Sequence, residues 1–314
     1  MARHVTGARA DSTADEWSQW LLHRRHGDDA AFAGAVRAEV ERYADRVLDA
    51  ARLAPGMTLA DIGAGDGLVA FRAIERIGPS LRVLLTDVSA TMLQHAQSLA
   101  VERGVRGQCE FLHCPADALT DIPGASADVV TTRAVLAYVA DKLAALREFY
   151  RVLKPGGLIS LSEPIFQDDA FAASALRTMI DAQSEHTRDL FTRLLHRWKA
   201  AQYPDTSEKI AASPLVNFSE RTLFEFVRQC GFVDIHLELH IDMAPSIIGS
   251  WEVFLTTSPH PWAPALSSIM SDQFTAAERQ LFERTMRPII ESSNAKTITR
   301  MVYLTAAKPP VDHA

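Results

Sequence analysis

Asp61-Ile-Gly-Ala-Gly-Asp-Gly67 joins a short apolar run to a helical pattern, and the fold can be read from this turn in both directions. The apolar run, Met57–Ile62, predicts a strand, and Leu68–Ile77 predicts a helix. Glycines at such a turn let the backbone approach a ligand closely, and the start of the helix offers free backbone N–H groups. The turn therefore predicts a ligand-binding loop, although a glycine-rich turn alone does not identify the ligand.

Strands and helices alternate along the chain after this turn. Four more apolar runs predict strands, at Val83–Val88, Cys109–Cys114, Asp128–Thr132 and Leu158–Ser162. Helical patterns separate most of them, and Ser89 has the character of a helix N-cap. Near-continuous apolar strands that alternate with helices predict an α/β fold, with a parallel sheet covered on both faces.

Helical segments flank this core, and the pattern divides the chain into five parts. We expect a disordered tail over 1–14, an N-terminal helical cap over 15–54, the core over 55–164, a helical insertion that roofs the substrate over 165–216, and the completion of the sheet with a further helical insertion over 217–314. In Phe232–Asp242 apolar residues alternate with polar ones, which predicts a strand with one solvated face at a sheet edge.

Asp87 ends the second predicted strand, where a carboxylate can accept hydrogen bonds from both hydroxyls of a ribose. Dinucleotide-dependent enzymes and methyltransferases share this feature. The dinucleotide fingerprint, however, has its third glycine at the position that Leu68 occupies. The sequence therefore disfavours an NAD(P)-dependent reductase.

From Thr58 to about Pro164 the chain resembles the class I S-adenosylmethionine (SAM)-dependent methyltransferases. The resemblance rests on the glycine loop and on three later segments, Pro115-Ala-Asp-Ala118, Asp128-Val-Val-Thr-Thr-Arg133 and Arg151-Val-Leu-Lys-Pro-Gly-Gly157. It implies a seven-stranded Rossmann-like sheet and SAM as the cofactor. Arg133 departs from the small polar residue more usual at the end of the fourth strand, so a substrate contact and a salt bridge both remain open for it.

The resemblance also implies a role for each residue of the cofactor site. The loop residues that would wrap the methionine end of SAM are Asp61, Gly63, Ala64, Gly65 and Gly67. The residues implied for the nucleoside are Asp87 at the ribose, Val88 and Met92 at the adenine slot, and Ala116, Asp117 and Ala118 around the ring. Arg133 would lie beside the amino group of SAM.

The acceptor site is expected beneath the cap and the insertions, at the carboxyl ends of the strands. Trp17, Trp20, Leu21 and Arg24 share one predicted helical face and either line a lid or dock the tryptophans into the core. The candidate substrate residues are Trp20, Arg24, Arg25, Tyr138 and Glu163. Because guanidinium groups bind carboxylates in paired hydrogen bonds, the arginines suggest an anionic acceptor.

The remaining chemistry-bearing residues do not single out a catalytic base or a metal site. His23, His26, His186 and His196 each have a surface or packing role as the simpler interpretation. On a strand, His236 and His240 would be roughly 13 Å apart, too far for one ion. The three cysteines, Cys109, Cys114 and Cys230, have no metal-ligand spacing, so no metal is expected.

Composition narrows the class of function. A net charge of −7 argues against a nucleic-acid partner, and neither a signal peptide nor a membrane span is evident, which predicts a cytoplasmic location. The expected function is methyl transfer from SAM to a small-molecule or peptide acceptor, for example in natural-product biosynthesis, with a carboxylate oxygen as one option. N- or hydroxyl O-methylation and a non-catalytic SAM-binding subunit remain alternatives, and the oligomeric state is left open.

Overall fold

The computed structural model describes residues 16–183 and 189–311, and these residues are organised around one seven-stranded sheet. The strands are β1 Thr58–Ile62, β2 Arg82–Asp87, β3 Cys109–His113, β4 Ala127–Arg133, β5 Leu153–Pro164, β6 Val233–Pro245 and β7 Lys296–Ala307. Their order is β3-β2-β1-β4-β5-β7-β6, with β1 to β5 parallel and β7 antiparallel to both of its neighbours. The predicted α/β fold with a seven-stranded Rossmann-like sheet is confirmed.

Eleven α-helices lie wholly within the described ranges, in addition to the helical residues 16–19. They are α1 Ala30–Ala50, α2 Leu68–Ile77, α3 Ala90–Glu102, α4 Lys142–Val152, α5 Gln167–Asp181, α6 Leu190–Gln202, α7 Ser207–Ala212, α8 Glu220–Gln229, α9 Trp251–Thr256, α10 Leu266–Gln273 and α11 Ala276–Ile290. Ser89 caps α3 as expected, since its side chain accepts from the Met92 N–H. Among these described helices, none is both long and apolar enough to cross a membrane.

The sheet is buried between two apolar layers. On one face α4 and α8 contribute Phe149 and Val227, and on the other α1 and α2 contribute Ala44 and Phe71. Helix α1 is therefore part of the core as well as of the predicted N-terminal cap. Its inner face also supplies part of the cavity wall described below, through residues such as Val36.

Strand β6 is the edge strand that the alternating pattern predicts. Its apolar residues Ile235 and Leu237 pack against the core, while the polar residues between them face the other side. On that polar side His236 and His240 both contact Glu238, at Nε2–Oε1 3.2 Å and Nε2–Oε2 2.8 Å. The two histidines thus share a carboxylate, and no cluster of metal-ligating residues occurs within 16–183 and 189–311.

The two insertions pack together as one helical layer. Residues from α6, α9, α10 and α11 form a separate apolar cluster around Leu194, Trp251, Ile269 and Phe282. We call these four helices the helical roof. They come from chain segments about fifty residues apart, so this layer forms only in the tertiary fold.

Candidate cofactor and acceptor sites

A cavity of about 1660 Å³ lies at the carboxyl ends of β1, β2 and β4. These parallel strands deliver their following residues to the same edge of the sheet, where open α/β sheets bind ligands. The sheet side of the cavity is lined by Gly63, Gly65, Asp87, Val88, Ala116, Asp117 and Arg133. The opposite side is lined by Trp17, Trp20, Arg25, Tyr138, Trp198, Lys199 and Trp262.

The glycine loop has the backbone conformation that its sequence requires. Gly65 and Gly67 have φ values of +56° and +78°, in the left-handed region that favours glycine. A Cβ on Gly67 would lie 2.5 Å from Cε2 of Phe71, whereas a Cβ on Gly65 would meet only Cδ1 of Leu21, at 3.9 Å. Gly67 is therefore needed by the fold, and Gly65 leaves room beside the cavity for a ligand.

This difference predicts two separable effects. Gly67→Ala should lower the free energy of unfolding by about 2–4 kcal/mol, from left-handed strain and overpacking. Gly65→Ala should cost only about 1–2 kcal/mol of stability, yet weaken S-adenosylhomocysteine (SAH) binding at least about tenfold, because its methyl group occupies ligand space. Denaturant titration and calorimetry measure the two quantities.

The control for the glycine variants is Gly34→Ala in α1, where an added Cβ has open space. It should stabilise the helix by about 0.5–1 kcal/mol and leave SAH binding unchanged. If Gly65→Ala bound SAH as well as the wild type, the loop would not contact the cofactor.

Arg37 holds the loop from outside. Its guanidinium forms an ion pair with Asp66, whose other oxygen accepts from the Leu68 N–H at 3.2 Å. The loop is thereby fixed between α1 and the first turn of α2. Sequence reasoning gave no role to Arg37, because nothing in its local pattern distinguishes it from a surface arginine.

Asp87 organises the loop and faces the cavity at the same time. Its Oδ2 accepts from the Gly65 N–H and its Oδ1 from the Ser89 N–H, both at 2.8 Å. Burial raises the pKa of Asp87 above its ordinary value, in spite of these donors. A carboxylate has about four acceptor positions, so capacity remains for two ligand hydroxyls.

The expected nucleoside residues fall into two groups. Val88, Ala116 and Asp117 line the cavity directly. Met92 is almost fully buried, and neither Met92 nor Ala118 is part of the cavity wall. These two residues support the wall from behind in this conformation.

Asp61, Ala64 and Gly67 belong to the loop but do not line the cavity. Asp61 accepts from the Thr131 hydroxyl at 2.9 Å, which ties β1 to β4. Burial raises the pKa of Asp61 to about 7. The Ala64 N–H donates to the Thr86 carbonyl at 2.8 Å, so this residue fixes the loop on β2.

Arg25 and Arg133 lie in the cavity wall near each other, and carboxylates act on them through space: Asp66 and Glu39 on Arg25, and Asp61 on Arg133. Neither guanidinium forms an ion pair or a hydrogen bond with any residue of 16–183 or 189–311. Burial, followed by the proximity of Arg133, lowers the pKa of Arg25 to about 10. The hydrogen-bond donors of both guanidinium groups are therefore available to a ligand in the cavity.

Arg24 does not belong to this pair. Residues Trp20–Arg24 form a π-helical turn, in which the Arg25 N–H donates to the Trp20 carbonyl at 2.9 Å. The wider turn places Arg25 over the Trp20 ring, at 5.4 Å, while Arg24 Nη2 donates to the Pro261 carbonyl at 2.9 Å. Arg24 thus docks the turn on the segment after α9.

Trp20 both docks into the core and lines the cavity, the two roles that the sequence left open for the N-terminal helical face. It is buried, its Nε1 donates to the Ser258 carbonyl at 3.0 Å, and its ring still lines the cavity. Glu163 is fully buried and does not line the cavity. Its carboxylate accepts from the Thr132 hydroxyl and from the Val135 and Ala137 N–H groups, which explains its burial structurally.

Tyr138 is at the centre of an aromatic wall. Its ring contacts Trp17 at 4.9 Å, Trp262 at 5.7 Å and Phe166 at 6.3 Å between centroids. The Tyr138 pKa is raised by burial. Trp262 and Phe166 were not predicted, because both lie in segments without regular periodicity.

Of the histidines named from the sequence, His240 on β6 lines the cavity, whereas His23, His26 and His196 do not. His23 pairs with Asp28 at 2.8 Å and His196 with Asp205 at 3.1 Å. His186 lies outside the described residues. His260, which was not singled out, is buried, and burial lowers its pKa to about 4.

Fold and site together define an α/β protein whose glycine loop and following carboxylate are those of a nucleoside-type cofactor site. Residues 60–161 match the family model described as a methyltransferase domain. A nocamycin O-methyltransferase of Saccharothrix syringae is 30% identical over 210 residues, which cover 65% of this chain and 69% of that protein. The chain therefore belongs to the class I SAM-dependent methyltransferases and is an enzyme of this family.

The same core is shared by a second sequence relative and by a solved structure. A tRNA 5-carboxymethoxyuridine methyltransferase of Escherichia coli is 36% identical over 118 residues, 37% of this chain, and the match spans 43% of that protein. The crystal structure of the YcgJ protein of Bacillus subtilis has a TM-score of 0.52 and 16% identity, over 85% of this chain and 98% of its own. The structural likeness supports the fold alone.

Proposed function

We propose that the enzyme methylates a carboxylate of a flat acceptor of small or medium size and forms a methyl ester. The observation that carries this proposal is the pair Arg25 and Arg133, two guanidinium groups in the cavity wall that form no direct ion pair or hydrogen bond within the described chain. Guanidinium groups hold a carboxylate by directional, charge-assisted hydrogen bonds. The pair would therefore orient an acceptor beside the cofactor loop.

The residues present fit SAM as the cofactor. We propose that Gly65 gives the methionine portion room, that Asp87 accepts from the ribose hydroxyls, and that Val88 and Asp117 hold the adenine. When bound, SAM supplies an electrophilic methyl group on a sulfonium. The chain's own contribution is to align the acceptor with that group and to exclude water.

The aromatic wall supports a flat acceptor. Trp17, Tyr138 and Trp262 present ring edges and faces to the cavity and contact one another at 4.9–6.2 Å. Aromatic walls favour stacking on planar, apolar groups. We therefore propose an unsaturated or aromatic acid, for example a natural product, beneath a lid formed by residues 16–29 and the helical roof.

A carboxylate acceptor also requires no general base. A carboxylate is ionised near neutral pH and loses no proton on methylation, whereas a weakly acidic hydroxyl needs a base. The negative net charge continues to favour a small-molecule or peptide acceptor over a nucleic acid, and a cytoplasmic location remains our expectation.

The test is acceptor screening followed by a pH–rate profile. We expect ester formation from 2-naphthoate or biphenyl-4-carboxylate and none from 2-naphthol, with a single-turnover rate that is flat from about pH 6 to 8. Asp61→Asn is the control for the pH profile, because Asp61 has a pKa of about 7, within the measured range. Its rate should be equally independent of pH. Methylation of the naphthol or of an amine alone, with a rate that follows one ionisation, would indicate hydroxyl O- or N-methylation instead.

A further inference from the structure

The cavity wall also includes a second polar region where α5 and α6 pack together. Its wall contains Asp169 from α5, Trp198 and Lys199 from α6, and Tyr203 at the end of α6. We call these four residues the distal lobe. None of them is part of the arginine pair or of the predicted cofactor site.

The charged groups of the distal lobe lack partners. Within the described ranges, the Asp169 carboxylate and the Lys199 ammonium form no ion pair or hydrogen bond, with each other or with another residue. The Trp198 Nε1 is also buried without an acceptor, and Lys199 Nζ lies 4.4 Å from the Trp198 ring centroid. Polar groups removed from water are normally hydrogen-bonded. The buried Trp198 Nε1 and the half-buried Asp169 and Lys199 therefore present unused donors and an acceptor to the cavity.

Burial shifts the pKa of each ionisable group in the direction that favours its neutral form. It raises the pKa of Asp169 and lowers the pKa of Lys199, although each is partly offset by the charge of the other. Burial likewise raises the pKa of Tyr203, with Asp169 contributing. A ligand that hydrogen-bonds both charges would relieve this cost without adding a charge of its own.

We propose that the distal lobe is a specificity subsite for the far end of the acceptor, and that it binds a neutral group that both donates and accepts hydrogen bonds, such as a hydroxyl or an amide. The donor of that group would face Asp169, and its acceptor would face Lys199 or Trp198. A charged group would pair with one side chain and be repelled by the other. This inference rests on the proposed function, because the other end of the acceptor is placed at Arg25 and Arg133.

The experiment measures binding of matched acids to the SAH-loaded enzyme by calorimetry. Three pairs vary in length: benzoate and 4-hydroxybenzoate, 2-naphthoate and 6-hydroxy-2-naphthoate, and biphenyl-4-carboxylate and its 4′-hydroxy derivative. In at least one pair the hydroxy acid should bind about tenfold more tightly, the ratio expected of one hydrogen bond to a charged group. Lys199→Met and Asp169→Asn should each reduce this ratio to about twofold or less.

Controls separate a binding role from a structural one. Lys209→Met in α7 removes an exposed lysine outside the cavity and should leave the ratio unchanged. SAH affinity should be equal in all variants. If Lys199→Met and Asp169→Asn lowered the melting temperature and retained the hydroxy preference, the two residues would only stabilise the α5–α6 contact and the inference would be wrong.

Failure of this inference can be distinguished from failure of the proposed function. If every acid binds, loses affinity in Arg25→Gln, and shows no hydroxy preference at any length, only the distal subsite is refuted. If no acid binds the SAH-loaded enzyme, the carboxylate proposal fails and the distal subsite fails with it.

Discussion

Asp87→Ala is expected to weaken SAM and SAH binding by about 100-fold or more. Two ribose hydroxyls that donate to a charged acceptor contribute on the order of 1.5–3 kcal/mol each, and about 1.4 kcal/mol corresponds to a factor of ten in affinity. Asp87 also holds the Gly65 and Ser89 N–H groups at 2.8 Å, so its removal loosens the loop as well. Both effects act in the same direction.

Calorimetry with SAH measures this loss, and circular dichroism checks that the variant is folded. Asp87→Asn keeps the shape but not the charge and should retain part of the affinity. Glu102→Ala, at an exposed carboxylate on α3, is the matched control and should bind normally. NADH should not compete with SAH in the wild type, because Leu68 replaces the third glycine of a dinucleotide site. Undiminished SAH binding by folded Asp87→Ala would refute the assignment of this carboxylate.

The cofactor half of the site was predictable because its determinants are local. In Asp61–Gly67 the strand, the turn and the helix start lie within a few residues, and glycine is the residue that positive φ favours. Asp87 follows from the position of the second strand in the same way. The order of the strands then brings these separate ends to one edge without further information.

The acceptor half was only partly predictable, since it depends on contacts between distant segments. Asp169 and Lys199 face one cavity only after α5 packs on α6, and Trp262 joins them from the segment between α9 and α10. Nothing in the periodicity of 165–216 distinguishes Lys199 from a solvated lysine. The helical roof is built from two insertions, and sequence spacing does not reveal that they meet.

The N-terminal arginines show how a local change of helix type alters which side chains share a face. An α-helical period places Trp20 and Arg24 on one face, four residues apart. The π-helical turn has a period that places residue i+5 over residue i, so Arg25 lies over Trp20 and enters the cavity. The π-helical turn therefore determines that Arg25, and not Arg24, lines the cavity.

Arg25→Gln and Arg133→Gln should each raise the KM for a carboxylate acceptor by about 10- to 100-fold. A hydrogen bond to a charged group is worth about 1.5–3 kcal/mol, and each guanidinium can make more than one. The cavity offers the acceptor no other arginine among the residues described, apart from Arg42 and Arg46 near β6. The kcat should change less, because an ionised carboxylate needs no proton removal once it is bound.

Three further variants show whether the rise in KM reflects lost contacts with the acceptor. Arg24→Gln removes a neighbouring guanidinium that is bound to the Pro261 carbonyl, and it should leave KM nearly unchanged. Glu163→Gln should lower the melting temperature without raising KM, since this carboxylate is buried behind the wall. Arg25→Lys should restore only part of the affinity, because an ammonium cannot form the paired hydrogen bonds of a guanidinium.

SAH affinity shows whether the arginine pair binds the carboxylate of the acceptor or the carboxylate of the cofactor. If the pair binds the acceptor, SAH affinity in Arg25→Gln and Arg133→Gln should stay within about threefold of the wild type, less than the tenfold that 1.4 kcal/mol represents. If SAH affinity falls and the acceptor KM does not, the pair binds the carboxylate of the cofactor instead. The acceptor would then be held by the aromatic wall and the distal lobe, and no residue pair would favour a carboxylate acceptor.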